Sequence, residues 1–309
     1  MPYTVHKIAA VLGLVAVLDG CTFATVFAGV GKQSAARLWT DGSQQLVMTG
    51  APWSEAVAMN NWGILLNAQM AAGKTYPMRQ AAGPGVPERL ELPEGHTAAK
   101  GLSLGDDGTV YGWSMGRVAG KATYHAVVWA PGTTKPRVVI GKDYQAIGDI
   151  GVGTIVFNQK TGDLSVATEP AAGPTTLTSF ASNVAGAKVI DGVCVGAVKV
   201  RPDADGSVDL QATIFDPVGG NVALLDLPDE ESSVALGFKN LFDDTLGYVQ
   251  AGTRRHAAIF HGKDNLEVIS DQSGIGVYEA VAMDNDGTVV GIGEDASGAK
   301  IAWFAAPNG

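Results

Sequence analysis

The side chains with the widest chemical range in this sequence are its histidines, His6, His96, His125, His256 and His261. A zinc site needs several such ligands, or a histidine with cysteines, at ligand spacing. His125 and His256 instead occupy matching places in two copies of a repeat, and His261 has only His256 near it along the chain. No metal site and no cofactor is predicted. Asp203, Asp205 and Asp209 alternate around Gly206 in the manner of a calcium loop. The closing Glu and the flanking helices of an EF-hand are missing, so an exposed hairpin loop is the better reading. For nucleophilic catalysis there is no Gly-x-Ser-x-Gly elbow and no reactive-cysteine context. Cys21 and Cys194 follow Asp-Gly turns in distant repeats, too far apart to bridge, and read as buried free thiols. Asp229, Glu230 and Glu231 follow Pro228 and read as a solvated connection. No catalytic residue is predicted.

Binding is better represented. Lys32, Lys74, Lys121, Lys160, Arg201, Arg254, Arg255 and Lys300 fall between the second and third strands of the repeat described below, at least one base in every copy. Loops in equivalent places of a ring share one face, so that face carries a basic rim suited to an acidic partner. Asp203, Asp205, Glu294 and Asp295 in the same loops temper it. Trp62 stands in a turn where other copies have Asp or Gly, and Trp53 lies in the preceding loop. An exposed Trp suits a sugar-stacking site or a protein hot spot, while packing of Trp62 against a neighbouring repeat is the structural alternative. The candidate binding residues are therefore Trp53, Trp62, Lys32, Lys74, Lys121, Arg254 and Arg255.

The elements that position these residues are strands. The run Glu-Ala-Val-Ala-Met at positions 279–283 recurs at 55–59, each time followed by a polar turn ending in Gly and a β-rich run. Asp-Asn-Asp-Gly at 284–287 supplies the side-chain acceptors and the positive-φ residue of a tight hairpin. Weaker copies of this strand–turn–strand unit lie at 14–28, 97–115, 145–159, 183–200 and 233–250, making seven. A third strand follows each, usually ending in an aromatic, as at Trp39, Trp129, Phe215, Phe260 and Phe304. Trp39 and Phe304 are six intervals apart, about 44 residues per repeat, the period of a four-stranded propeller blade. Fourth strands follow six of the copies, at 45–48, 89–92, 137–140, 175–180, 222–227 and 266–270. The seventh copy has none, and residues 3–8 are a strand left over at the other end. The fold predicted is all-β: a single seven-bladed β-propeller domain over 1–309, with seven repeats in 9–309 and residues 1–8 closing the last blade. No segment keeps helical apolar spacing for long without Gly or Pro.

Two third strands read His125-Ala-Val-Val-Trp129 and His256-Ala-Ala-Ile-Phe260, and residues 282–291 read Ala-Met-Asp-Asn-Asp-Gly-Thr-Val-Val-Gly. In these motifs the chain resembles the bacterial extracellular repeats named for a His-Ala-Phe motif. That resemblance implies a propeller-like fold, with no activity and no catalytic residues to carry over.

Composition limits the function. Of 309 residues 46% are hydrophobic and 17% charged, enough for a substantial core, and the 41 glycines are spread as turns rather than gathered into a linker. A net charge of −10 disfavours a nucleic-acid partner and repels anionic membranes. Lys7, the apolar residues 8–18 and Asp19-Gly20-Cys21 have the outline of a lipoprotein leader. Asp19 is poor before a cleavage site and the run is too short to span a bilayer, so no cleaved signal and no membrane insertion are expected. The expected function is a non-enzymatic binding or assembly module with protein partners in a larger assembly, such as a bacteriophage tail, fibre or capsid decoration. A secreted or surface lectin-like propeller binding carbohydrate is the second expectation, and a propeller hydrolase the third. The corresponding location is a virion or the extracellular space.

Overall fold

The computed structural model describes residues 3–307 apart from 9–13, 20–21, 29–33, 40–43, 49–50, 52, 60–61, 71–72, 82–84, 142, 170–173, 191, 203–207, 224–230, 240–243, 264, 270, 272–274, 284–288 and 299. All elements among the described residues are strands. A leading strand β1 (Tyr3–Ile8) precedes a first group of β2 (Leu14–Asp19), β3 (Thr22–Ala28), β4 (Ser34–Trp39) and β5 (Gln44–Met48). The second group is β6 (Trp53–Met59), β7 (Gly63–Gln69), β8 (Thr75–Ala81) and β9 (Glu88–Arg89). The third is β10 (Ala98–Leu104), β11 (Val110–Val118), β12 (Lys121–Trp129) and β13 (Arg137–Ile140). The fourth is β14 (Tyr144–Asp149), β15 (Thr154–Asn158), β16 (Asp163–Thr168) and β17 (Thr176–Ala181). The fifth is β18 (Val184–Ile190), β19 (Val193–Pro202), β20 (Val208–Asp216) and β21 (Gly220–Ala223). The sixth is β22 (Glu231–Lys239), β23 (Asp244–Ala251), β24 (Arg254–His261) and β25 (Leu266–Val268), and the seventh is β26 (Ile275–Met283), β27 (Val289–Asp295) and β28 (Lys300–Pro307).

Each group forms a four-stranded antiparallel sheet with its strands in chain order, and in the seventh the fourth place is taken by β1. β1 lies antiparallel to β28, from Tyr3 opposite Pro307 to Ile8 opposite Ala302. The first strand of every sheet touches the first strand of the next, from β2 through β6, β10, β14, β18 and β22 to β26, and β26 touches β2.

The core lies between sheets, and the sequence of the third strands shows why. In β12, Ala126 and Val128 pack with Ala146, Val156 and Ala167 of the fourth sheet. Their neighbours Val127 and Trp129 pack with Leu65 and Ala99 on the opposite side. Alternate side chains of a strand point to opposite faces, so a sheet sandwiched between two others needs an unbroken apolar run, as in Ala-Val-Val-Trp. β24 repeats the arrangement: Ala258 and Phe260 face the fifth sheet, Ala257 and Ile259 the seventh. Trp129 is fully buried and donates its indole N–H to the Glu91 carbonyl at 2.9 Å.

Turn chemistry fixes the hairpins. In the third sheet Asp107 accepts the Thr109 amide on Oδ1 and the Thr109 hydroxyl on Oδ2, both at 2.8 Å, while Gly108 takes φ +88°. The sequence places Lys121 in a loop, but β11 and β12 run on to a two-residue turn, Ala119 and Gly120, at φ 50° and 80°. Two positive-φ residues make the turn whose twist matches the strands, and this lengthens the hairpin so that Lys121 opens β12. The turn at 284–287 and most of the Asp203–Asp209 loop lie outside the described residues.

The β1–β28 ladder yields a test. Deleting residues 1–8 removes that ladder and leaves β28 as a bare edge, so unfolding in urea is expected at a stability lower by about 3–5 kcal/mol, with concentration-dependent association. An unchanged midpoint would show that the pairing carries no stability.

Candidate functional site

The fifth and sixth sheets do not meet flush along their inner strands. Between them is a cleft of about 310 Å³ lined by residues 185–188, 195–197, 210, 234–236 and 248. Its walls are Ala, Gly, Val and Leu, and two side chains with functional groups reach it, Lys188 and Tyr248. Strand alternation puts Lys188 there. Val189, next in β18, is buried in the core shared with the fourth sheet, so Lys188 turns the other way.

The Lys188 ammonium makes no hydrogen bond or ion pair with any described residue. Lys188 is half-buried; this partial withdrawal from water pushes its pKa down to about 8, and the charge of Glu279 on β26 opposes the shift only in part. Glu279 is already engaged, because Arg255 of β24 donates from Nη1 to its Oε1 at 2.8 Å. The Arg255 guanidinium also lies over the Tyr248 ring, 4.4 Å from its centroid. Burial raises the Tyr248 phenol above its ordinary pKa, with Arg255 pulling it down and Glu279 pushing it up. Three sheets thus bring two cations, one carboxylate and one protonated phenol to the edge of an apolar cleft. Such a set can hold an anion, and it can also perturb the proton affinity of whatever binds.

No family model matches the chain, and no curated protein matches it. Solved structures do. A streptogramin B lyase is 10% identical at a TM-score of 0.56, with 99% of this chain and 98% of that one covered. The virginiamycin B lyase of Staphylococcus aureus gives 10% and 0.56, with 99% and 100% covered. A prolyl endopeptidase gives 11% and 0.59, with all of this chain aligned to 51% of that one. The fold is a β-propeller. At these identities the likeness reaches the fold and stops there. The resemblance to His-Ala-Phe repeats finds no family match behind it, and the propeller is the part of that expectation that stands.

The residues singled out in the sequence are scattered over the propeller. Lys74, Lys121 and Arg254 are exposed at the turns between second and third strands of the second, third and sixth sheets. Arg255, itself exposed, pairs with Glu279, and Lys160, also from those turns, pairs with Asp143. Lys32 lies outside the described residues, and Trp53 opens β6 opposite Gln69. Trp62 is half-buried among the hydrophobic side chains joining the second and third sheets. Its indole covers Gly108 so closely that a Cβ there would overlap it. Arg79, 1% exposed, stands 5.8 Å from the Trp62 ring and donates to the carbonyls of Gly108, Ala130 and Thr133 at 2.9–3.0 Å. Trp62 therefore belongs to a joint between sheets.

The structure also groups histidines that stand apart in the sequence. The His96 and His125 rings lie 4.8 Å apart, and His96 Nδ1 is 2.7 Å from the Ser114 hydroxyl. Burial, then the neighbouring His125, lowers the His96 pKa. His125 lies opposite Ser114 in the ladder, so aligning the three strands of this repeat would have brought the pair together. His261 is flanked by Asp244 at 2.7 Å and Glu267 at 3.2 Å; burial lowers its pKa, but these two carboxylates prevail and raise it. Among the described residues no three His, Cys, Asp or Glu are arranged to hold a metal. Cys194 is a buried free thiol whose pKa burial pushes up to about 12; Cys21 lies outside the described residues.

Two outcomes are expected. Trp62→Ala should lower stability by more than about 2 kcal/mol in urea unfolding, since it empties the joint over Gly108; an unmoved midpoint would instead mark Trp62 as a contact residue. The Lys188 pKa, about 8 in the fold against 10.5 as the ordinary value, sets the sign of a pH effect. Below pH 8 both states carry the proton and the fold bears the full burial penalty. Between 8 and 10.5 the native state loses its proton first, so stability rises with pH. Lys188→Met should therefore stabilise the protein at pH 7, by roughly 1–3 kcal/mol, and flatten that rise. A less stable Met variant at pH 7 would contradict it.

Proposed function

We propose that this chain is a non-enzymatic binding module, a closed seven-bladed β-propeller clasped by its N-terminal strand, with its ligand site in the cleft beside Lys188. Seven four-stranded sheets, first strands in contact from each sheet to the next, and β1 seated on β28 support the closed ring. The observation that carries the binding reading is the Lys188 ammonium, unpaired among the described residues at an apolar cleft of about 310 Å³. That volume falls at the lower end of small-molecule sites, which are likewise apolar with a few polar groups. A cation placed there works against stability, so a bound partner is its natural complement.

The other readings draw on weaker observations. A macromolecular partner in an assembly would use the basic rim, where Lys74, Lys121 and Arg254 are exposed, but Arg255 and Lys160 of that set are neutralised by Glu279 and Asp143. Nothing in the fold or its likenesses bears on a virion. Carbohydrate stacking on Trp62 competes with that residue's packing over Gly108. A hydrolase is favoured by the convergence of Glu279, Arg255, Tyr248 and Lys188, yet the carboxylate is held by Arg255 and the phenol keeps its proton. Binding needs none of these groups released.

Methyl-labelled protein distinguishes the sites directly. Adding the small-molecule filtrate of a cell extract should shift the methyl resonances of Val195, Ala197, Leu210 and Val234. Shifts elicited only by the macromolecular fraction, at residues around Lys74, Lys121 and Arg254, would replace the cleft with the rim.

A further inference from the structure

The chemistry of the cleft narrows the class of ligand. We infer that it takes a small monocarboxylate with an apolar body, the carboxylate meeting Lys188 and the body lying against Val195, Ala197, Leu210 and Val234. This rests on the cleft being the binding site.

Charge decides the head group. Lys188 and Arg255 contribute two positive charges and Glu279 one negative, and the Arg255–Glu279 contact at 2.8 Å joins one of each. One cation is left over at the cleft, so an anion completes the set and a second cation is repelled. Lysine presents a compact point charge, matched to one carboxylate oxygen, whereas phosphate is ordinarily held by several donors or a planar guanidinium fork. Arg255 does not offer that fork here, because its guanidinium is bound to Glu279 and laid over Tyr248.

The walls decide the body. Val195, Ala197, Leu210 and Val234 offer methyl groups and no side-chain hydrogen-bond partners. A sugar would bury more hydroxyls there than Lys188 and Tyr248 could meet, at a cost a hydrocarbon does not incur. Size follows from the volume. At about 30 Å³ for each water-sized unit, the cleft admits a ligand of about ten non-hydrogen atoms. Tyr248, whose phenol is protonated at neutral pH, lines the cleft from the sixth sheet, across from Lys188.

Octanoate, 1-octanol and octylamine match this size and differ only in the head group. In isothermal titration calorimetry at pH 7, octanoate is expected to bind at least tenfold more tightly than 1-octanol, and octylamine more weakly than either. Lys188→Met should reduce octanoate affinity at least tenfold and leave 1-octanol unchanged, while Lys188→Arg retains most of it. An unaltered circular dichroism spectrum and a cooperative melting curve establish that the Met variant is folded. Equal affinity of the wild type for octanoate and 1-octanol would overturn the carboxylate assignment and leave the cleft as a binding site. Octanoate binding to Lys188→Met as tightly as to wild type would overturn it in the same way. Silence of the cleft methyl resonances toward all three probes and toward the extract filtrate would remove both the assignment and the site.

Discussion

A first-strand carbonyl aimed at the second strand of its own sheet is the constraint from which much of this propeller follows. In the third sheet a Cβ on Gly112 would overlap the Lys100 carbonyl oxygen, and in the seventh a Cβ on Gly291 would overlap that of Glu279. The same close approach recurs at Gly196 and Gly247 of the fifth and sixth. Beside Gly101, Ala235 and Ala280, opposite three of these glycines, the first strand slips register in a bulge. Bulges bend the strand that carries them and increase its twist, which lets the row of first strands curve from one sheet to the next. Glycine at the facing position is what permits the bend, since any side chain there would push the hairpin apart.

The cleft is a by-product of that geometry. Gly186, Gly196, Ala185, Ala187, Ala197 and Ala235 all line it. Residues kept small so that hairpins can close leave too little side-chain volume to fill the space between the fifth and sixth inner strands. Three other joints are filled by large side chains: Trp129 and Leu65 between the second and third sheets, Phe157 and Phe215 between the fourth and fifth, Trp303 and Ile259 between the sixth and seventh. Placing an ammonium in the unfilled gap opposes stability, and Glu279, the carboxylate that acts on it among the described residues, is shared with Arg255. A residue that lowers stability where an aliphatic side chain would raise it points to function.

Strands and turns were legible along the chain, because Asp-Gly turns, β-rich runs and aromatic third-strand ends are local signals. β12 and β24 fall where Ala-Val-Val-Trp and Ala-Ala-Ile-Phe predicted third strands. The leftover strand at 3–8 could be matched to the missing fourth strand by counting alone, and β1 does lie on β28. The site was not legible. Lys188 reads as an ordinary solvent-facing strand residue, because its surroundings come from sheets far along the chain, at Val234, Tyr248 and Glu279. Arg79 reads as a surface base, yet it is buried against carbonyls of the next sheet. For Trp62 the sequence left an exposed contact and packing against a neighbouring repeat both open, and only the neighbouring sheet shows that Gly108 of another repeat receives its ring. The failures share one cause: periodicity shows which face a side chain takes, and the neighbouring sheet decides what that face meets.

The central claim is that Lys188 is drawn partly out of water at the cleft with its charge only partly compensated by Glu279. The measurement that bears on it most directly is the titration of the Lys188 side chain by NMR in ¹³C-lysine-labelled protein, its resonance assigned by its loss in Lys188→Arg. The account predicts a midpoint near pH 8. A midpoint at the ordinary lysine value of about 10.4 would contradict it.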